Sequence, residues 1–148
     1  MLPEGIAYPR QEIAWLLRSA DALTLAAEHV EEVVAFIALQ FRSLGPARAR
    51  LQPSARRRGE LITIDVLQKV RRERIGWRLH EALEQEFCRQ GGENIELHVA
   101  VDNRAAIAFY RRLNYQCVGR VSRYYLDSID AWRMEKNFRS AGAMEPQI

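Results

Sequence analysis

The chain has 148 residues, 48% of them hydrophobic and 28% charged, with a formal net charge of +3. That length and balance fit one globular domain with a core of its own and exclude fibrous and intrinsically disordered classes. The longest apolar run, residues 33–39, is too short for a bilayer span and the first residues lack the regions of a signal peptide, so a cytoplasmic protein with no membrane partner is expected.

Residues 1–9 form an irregular lead-in with two prolines. After Pro9, Ile13, Leu16 and Leu17 stand at i, i+3 and i+4 with Glu12 in the first turn, which predicts a short helix over 11–18. Leu23, Leu25 and Ala27 alternate with Thr24, Ala26 and Glu28 as a half-buried strand, and residues 33–41 read as a more deeply buried one. Residues 29–32 join them as a hairpin that lacks the usual Asn-Gly or Asp-Gly turn. Residues 42–59 hold six arginines (Arg42, Arg48, Arg50, Arg56, Arg57, Arg58) and no acid, so the rest of the chain carries 3 − 6 = −3. This long loop could meet a phosphate, a nucleic acid or an acidic peptide. No aromatic is interleaved for base stacking, so a solvated loop is the plainer reading and no nucleic-acid partner is expected.

The segment 61–83 is the one around which the chain is organised. Leu61, Ile62, Ile64, Val66 and Leu67 make an apolar, β-branched strand, and Ile75, Leu79, Leu83 and Phe87 recur as one face of an amphipathic helix. Between them, Lys69, Arg71, Arg72 and Arg74 crowd the turn into the helix N-terminus, where unpaired N–H groups and the dipole suit a phosphate. A solvated basic turn is the alternative. Neither GxxxxGK[ST] nor GxGxxG occurs there.

Gly91-Gly92 stops the helix. Residues 94–101 then alternate, with Ile95, Leu97, Val99 and Val101 on one face and Glu96, His98 and Ala100 on the other. Asp102-Asn103 caps a helix whose Ala106, Phe109, Tyr110 and Leu113 fall on one side. Residues 115–121 and 131–138 read as strands with 123–130 as their connection, and 139–148 as a frayed tail beyond a single domain over 1–138. Cys88 and Cys117 have neither metal nor redox spacing, so buried or half-buried thiols and no metal site are expected.

RRERIG, residues 71–76, resembles the [RQ]xxGx[GA] acyl-CoA loop of the GNAT superfamily of acetyltransferases: Arg71 and Gly76 match its ends, and Arg74 stands where the first Gly is usual. NRAAIAFYRRLNY, residues 103–115, resembles the same superfamily's NxxAxxxYxxxG[FY], matching at Asn103, Ala106, Tyr110 and Tyr115, with Asn114 in place of Gly. RYYLDSIDAWRM, residues 123–134, is similar to the YYxDGxDAxxM stretch of protein N-terminal acetyltransferases, in particular the bacterial ribosomal-protein alanine acetyltransferases.

The resemblance implies an α/β fold with a mixed, mainly antiparallel central sheet flanked by helices on both faces, and acetyl-CoA as co-substrate. It lays the pantetheine arm along Ile64, Asp65 and Val66, sets the diphosphate on the amides of Arg72, Glu73, Arg74, Ile75, Gly76 and Trp77, and has Asn103 bond the cofactor. Tyr110 matches the general acid that protonates the departing thiolate; packing in the core is its alternative. The family's base, a Glu five residues before the Asn, is here His98, whose imidazole accepts a proton near pH 7. Glu96, two residues away on the same face, is the other candidate, and solvated strand residues are the alternative for both. Tyr124 and Tyr125 would lie over the acceptor, which the resemblance makes the α-amine of a protein or peptide N-terminus, ribosomal proteins included. Rival readings are acetylation of a small amine, or a domain that binds acyl-CoA weakly or only a partner. The family's first strand and helix find no counterpart at the start of the chain, which would leave a sheet edge open to pairing with a second copy.

Overall fold

A computed structural model of the protein describes residues 21–29, 31–42, 58–71, 74–125 and 128–138. Within them the order is β1 (Ala22–His29), β2 (Glu32–Phe41), β3 (Arg58–Val66), α1 (Ile75–Arg89), β4 (Asn94–Ala100), α2 (Arg104–Arg112), β5 (Gln116–Tyr125) and β6 (Ile129–Asn137), with one 3₁₀ turn at Gln68–Val70. The strands form one sheet in the order β1-β2-β3-β4-β6-β5, antiparallel except where β3 meets β4. The mixed, mainly antiparallel sheet is the expected one. The predicted helix over 11–18, most of the arginine loop and the tail from 139 lie outside the described residues.

Strand periodicity translates into burial. In β4, Ile95, Leu97 and Val99 are fully buried and join Ile37, Leu39, Leu61 and Met134 beneath α1 and α2. The α1 face fills this layer with Leu79, His80, Leu83 and Phe87. Phe87 stacks on Phe41 at 5.7 Å, and burying a side chain of this kind stabilises the fold by about 1.5–3 kcal/mol. Two glycines end α1 for different reasons. Gly91 adopts φ 90, while a Cβ on Gly92 would come within 2.4 Å of the Phe87 ring.

Two expectations need correction. The connection drawn over 123–130 is mostly strand: β5 runs on through Tyr125 and β6 begins at Ile129. The reason is a side chain. Asp130 accepts hydrogen bonds from the Arg123 amide (3.0 Å) and from Arg120 Nε (2.8 Å), which holds a bulged register together between Val121 and Tyr125. Cys117 is exposed, because it lies on β5 at the outer edge of the sheet, whereas Cys88 is half-buried as expected. The hairpin read over 29–32 holds, with His29 paired to Glu32 and Glu31 supplying the left-handed turn at φ 63.

Candidate active site

The parallel pairing of β3 with β4 is brief. It covers Arg58↔Asn94, Gly59↔Ile95 and Glu60↔Glu96, after which β3 continues to Val66 held by β2 and β4 continues to Ala100 held by β6. Beyond Glu60 the two strands part and leave a slot in the sheet. Ile64, Asp65 and Val66, the residues expected to face a pantetheine arm, form the far end of its β3 side.

At the mouth of that slot the helix N-terminus is as the basic turn predicts. Arg74 is the N-cap of α1 and makes no side-chain capping bond, so the first amides of the helix, from Ile75, Gly76 and Trp77, lack intrahelical partners. They border a pocket of about 590 Å³ lined by Val66, Arg71, Arg74, Ile75, Gly76, Trp77, Phe109 and Arg112. Arg71 is fixed over it, donating from Nε to the Val66 carbonyl at 3.2 Å. Three guanidinium groups and a helix dipole around one cavity suit a multiply charged anion. A Cβ on Gly76 would meet protein atoms no closer than 3.6 Å, so packing does not demand glycine there and a closely approaching ligand would. Arg112 was not singled out in the sequence, because it reaches this pocket only through the packing of α2. Arg72 and Glu73 lie outside the described residues.

Arg74 takes φ 60, the left-handed conformation that explains why related loops use glycine at this point. Asn114, the other departure from a glycine position, takes φ 72, which asparagine tolerates better than most residues. Asn103 caps α2, its Oδ1 accepting from the Ala106 amide at 3.2 Å, and so presents its amide nitrogen as a donor. Tyr110 is 1% exposed and packed edge-on against His80, Phe109 and Tyr115, on the face of the sheet that carries Leu97 and Val99. Behind it, Tyr115 Oη and His80 Nε2 are 2.9 Å apart, and burial pushes the Tyr115 phenol well up.

His98 alternates with Leu97 and Val99 and therefore points to the opposite face, where a charged cluster surrounds it. Its Nδ1 is 3.5 Å from Glu60 Oε1 and its Nε2 is 3.7 Å from Glu96 Oε1. Arg42 donates to Glu96 Oε1 at 3.2 Å, and Arg133 Nη1 lies 3.7 Å from Glu96 Oε2. The Tyr124 ring lies flat on the imidazole with centroids 4.4 Å apart. Burial, with Glu60 and Glu96 nearby, pushes the Tyr124 phenol up and keeps it a hydrogen-bond donor. The structure thus gathers His98, Glu96 and Tyr124 at one side of the slot and Tyr110 with the anion pocket at the other. Tyr125 is placed as the last residue of β5. Glu60 was missed in the sequence; its place at the last paired position of β3 depends on register, which one strand does not reveal.

A parted parallel strand pair, an anion pocket at the following helix N-terminus and a cluster of ionisable side chains across the slot make up the candidate site. The profile of the Acetyltransferase (GNAT) family matches residues 2–115, and the chain belongs to that family. Over 85 residues, 57% of its length, it is 38% identical to an N-alpha-acetyltransferase of Saccharolobus solfataricus, and the match spans 51% of that relative, about half its length. An N-alpha-acetyltransferase of Sulfurisphaera tokodaii is 31% identical over 134 residues, 90% of this chain and 78% of the relative. Among solved structures, the ribosomal-protein-S18-alanine N-acetyltransferase from Escherichia coli superposes with a TM-score of 0.77 at 23% identity, over 94% of this chain and 83% of that one, which is a likeness of fold.

Proposed function

We propose that the protein transfers the acetyl group of acetyl-CoA to the α-amine of a protein N-terminus. The observation that supports this most directly is the slot itself: the anion pocket and Tyr110 lie to one side of it, and the His98–Tyr124 cluster to the other. The relatives named N-alpha-acetyltransferase support the same acceptor class. Acetyl-CoA supplies an activated thioester. Arg71, Arg74, Arg112 and the amides of Ile75, Gly76 and Trp77 hold its phosphates, with Arg72 and Glu73 completing the loop; Ile64, Asp65 and Val66 line the arm; and the Asn103 amide donates to it.

On this reading His98 removes a proton from the acceptor amine as its nitrogen bonds to the acetyl carbon, and Tyr110 gives its phenolic proton to the sulfur as the C–S bond breaks. Tyr124 and Tyr125 cover the first residues of the acceptor. At pH 7 an α-amine with a pKa of ~7.8 is roughly 14% neutral, against roughly 0.04% for a lysine of ~10.4, so an imidazole is base enough for the former. Ribosomal proteins as acceptors, a cytoplasmic setting and a second copy paired along β1 belong to the same proposal.

The test is an acetylation assay with free-N-terminus peptides, Nα-blocked lysine peptides and small amines. Preference for free N-termini is the expected result. Equal rates on blocked peptides or small amines overturn the acceptor assignment, and an unchanged melting temperature in saturating acetyl-CoA overturns donor binding, since a ligand specific to the folded state stabilises it.

A further inference from the structure

Glu60 and Glu96 are register partners at the last rung of the parallel ladder, so two carboxylates stand side by side on one face, an arrangement that repels unless cations intervene. The cations around them are unevenly shared. Glu96 meets Arg42 through Oε1 and Arg133 through Oε2, two permanent charges from opposite sides, and Arg133 also lies 4.0 Å from Glu135. Glu60 faces the Nδ1 side of His98 at 3.5 Å, and the interaction with His98 is the main reason its carboxyl is held below the ordinary value, with Arg42 adding to it. Tyr124 stacks on one face of the ring.

A neutral imidazole has one donor and one acceptor nitrogen, and the hydrogen bond made by the first decides which nitrogen is basic. Resting on the role of His98 given above, we propose that Glu60 is a positioning residue: it accepts the Nδ1–H of His98, fixes the ring in the Nδ1–H tautomer and so makes Nε2 the nitrogen that receives the acceptor's proton. Glu96 also lies near the ring, 3.7 Å from Nε2, but Arg42 and Arg133 share its charge, so it competes less well for a ring N–H. At 3.5 Å the Glu60 contact is long for a hydrogen bond, as acid–base contacts often are before substrate binds.

Long-range ¹H–¹⁵N spectra of the three imidazoles at about pH 8, where histidine is neutral, test the tautomer, with His98→Ala identifying the resonance. Wild type is expected as Nδ1–H, and Glu60→Leu as Nε2–H. An Nε2–H wild type, or the same tautomer in both, overturns the proposal. Glu60→Gln keeps the shape and is expected to lower kcat roughly 10- to 100-fold, as loss of an orienting partner does, with peptide KM and acetyl-CoA Kd within about twofold. In a His98→Ala background the same change is expected to cost nothing further, and an additive loss overturns the proposal. If His98→Ala alone keeps full turnover, the base assignment fails, while the tautomer spectra still judge what Glu60 does to the ring.

Discussion

The rings of His98 and Tyr124 lie parallel within 10° and 4.4 Å apart, on neighbouring regions of a sheet that bring together residues 26 positions apart in sequence (124 − 98). Stacks of this kind are worth about 0.5–1.5 kcal/mol beyond the area they bury. Tyr124→Ala is therefore expected to lower kcat/KM for a peptide acceptor roughly two- to tenfold while leaving the acetyl-CoA Kd unchanged. Tyr124→Phe retains the stack and is expected to stay closer to wild type. Steady-state kinetics with calorimetry decide it, and weakened acetyl-CoA binding in Tyr124→Ala would show that the ring supports the donor side instead.

Asp130 holds the bulge that carries Tyr124, and the sign of its pH dependence follows from its hydrogen bonds. Its carboxyl is held below the ordinary value by the Arg123 amide and then by Arg120. A depressed folded value means that the contribution to stability is present above the unfolded value of about 3.9 and is lost as pH falls through the folded one. The bulge is expected to stay ordered from neutral pH down to about pH 4 and to loosen below it, followed by the Arg123 amide resonance. Asp130→Ala should loosen it at every pH and raise peptide KM; an unmoved Arg123 amide in that variant would refute the pinning role.

Arg74 and Gly76 separate stability from binding. Relieving the left-handed strain at Arg74 by Arg74→Gly is expected to stabilise the fold by about 1 kcal/mol, a Tm rise of roughly 2–4 °C for a chain of this size. The same change removes one guanidinium from the pocket and is expected to weaken acetyl-CoA binding roughly 3- to 10-fold, a fraction of a charged hydrogen bond because the side chain is solvated. Tighter binding by Arg74→Gly would mean that the side chain obstructs the site. Gly76→Ala has room within the protein, so its Tm is not expected to fall while acetyl-CoA affinity does.

Tyr110 is as buried as a core residue, and its spacing on α2 suits packing as well as chemistry. Tyr110→Phe removes one oxygen and keeps the ring against His80 and Tyr115. The expected outcome is an unchanged acetyl-CoA Kd with kcat lowered roughly 10²- to 10⁴-fold, the range for losing a general acid. Turnover near wild type would leave Tyr110 with packing alone.

The local chemistry of the chain was legible without coordinates wherever it depends on neighbours a few residues apart. The burial of Leu79, Leu83 and Phe87, the Asn103 cap, the helix stop at Gly91-Gly92 and the basic turn into α1 all follow from spacings within one element, because a helix or strand repeats its face at a fixed period. The extension of β5 through Tyr124 was not legible, since it depends on Asp130 reaching back to the Arg123 amide. Nor was the pairing of Glu60 with His98, 38 positions apart (98 − 60). In the sequence His98 and Glu96 are equivalent members of one strand face. Only the register of β3 on β4, and the approach of Arg42 and Arg133 from other elements, set the two carboxylates at opposite nitrogens of the imidazole and give the arginines to Glu96. Which strands meet, and at which rung, is decided by burial of the whole sheet, and no single stretch of sequence carries that information.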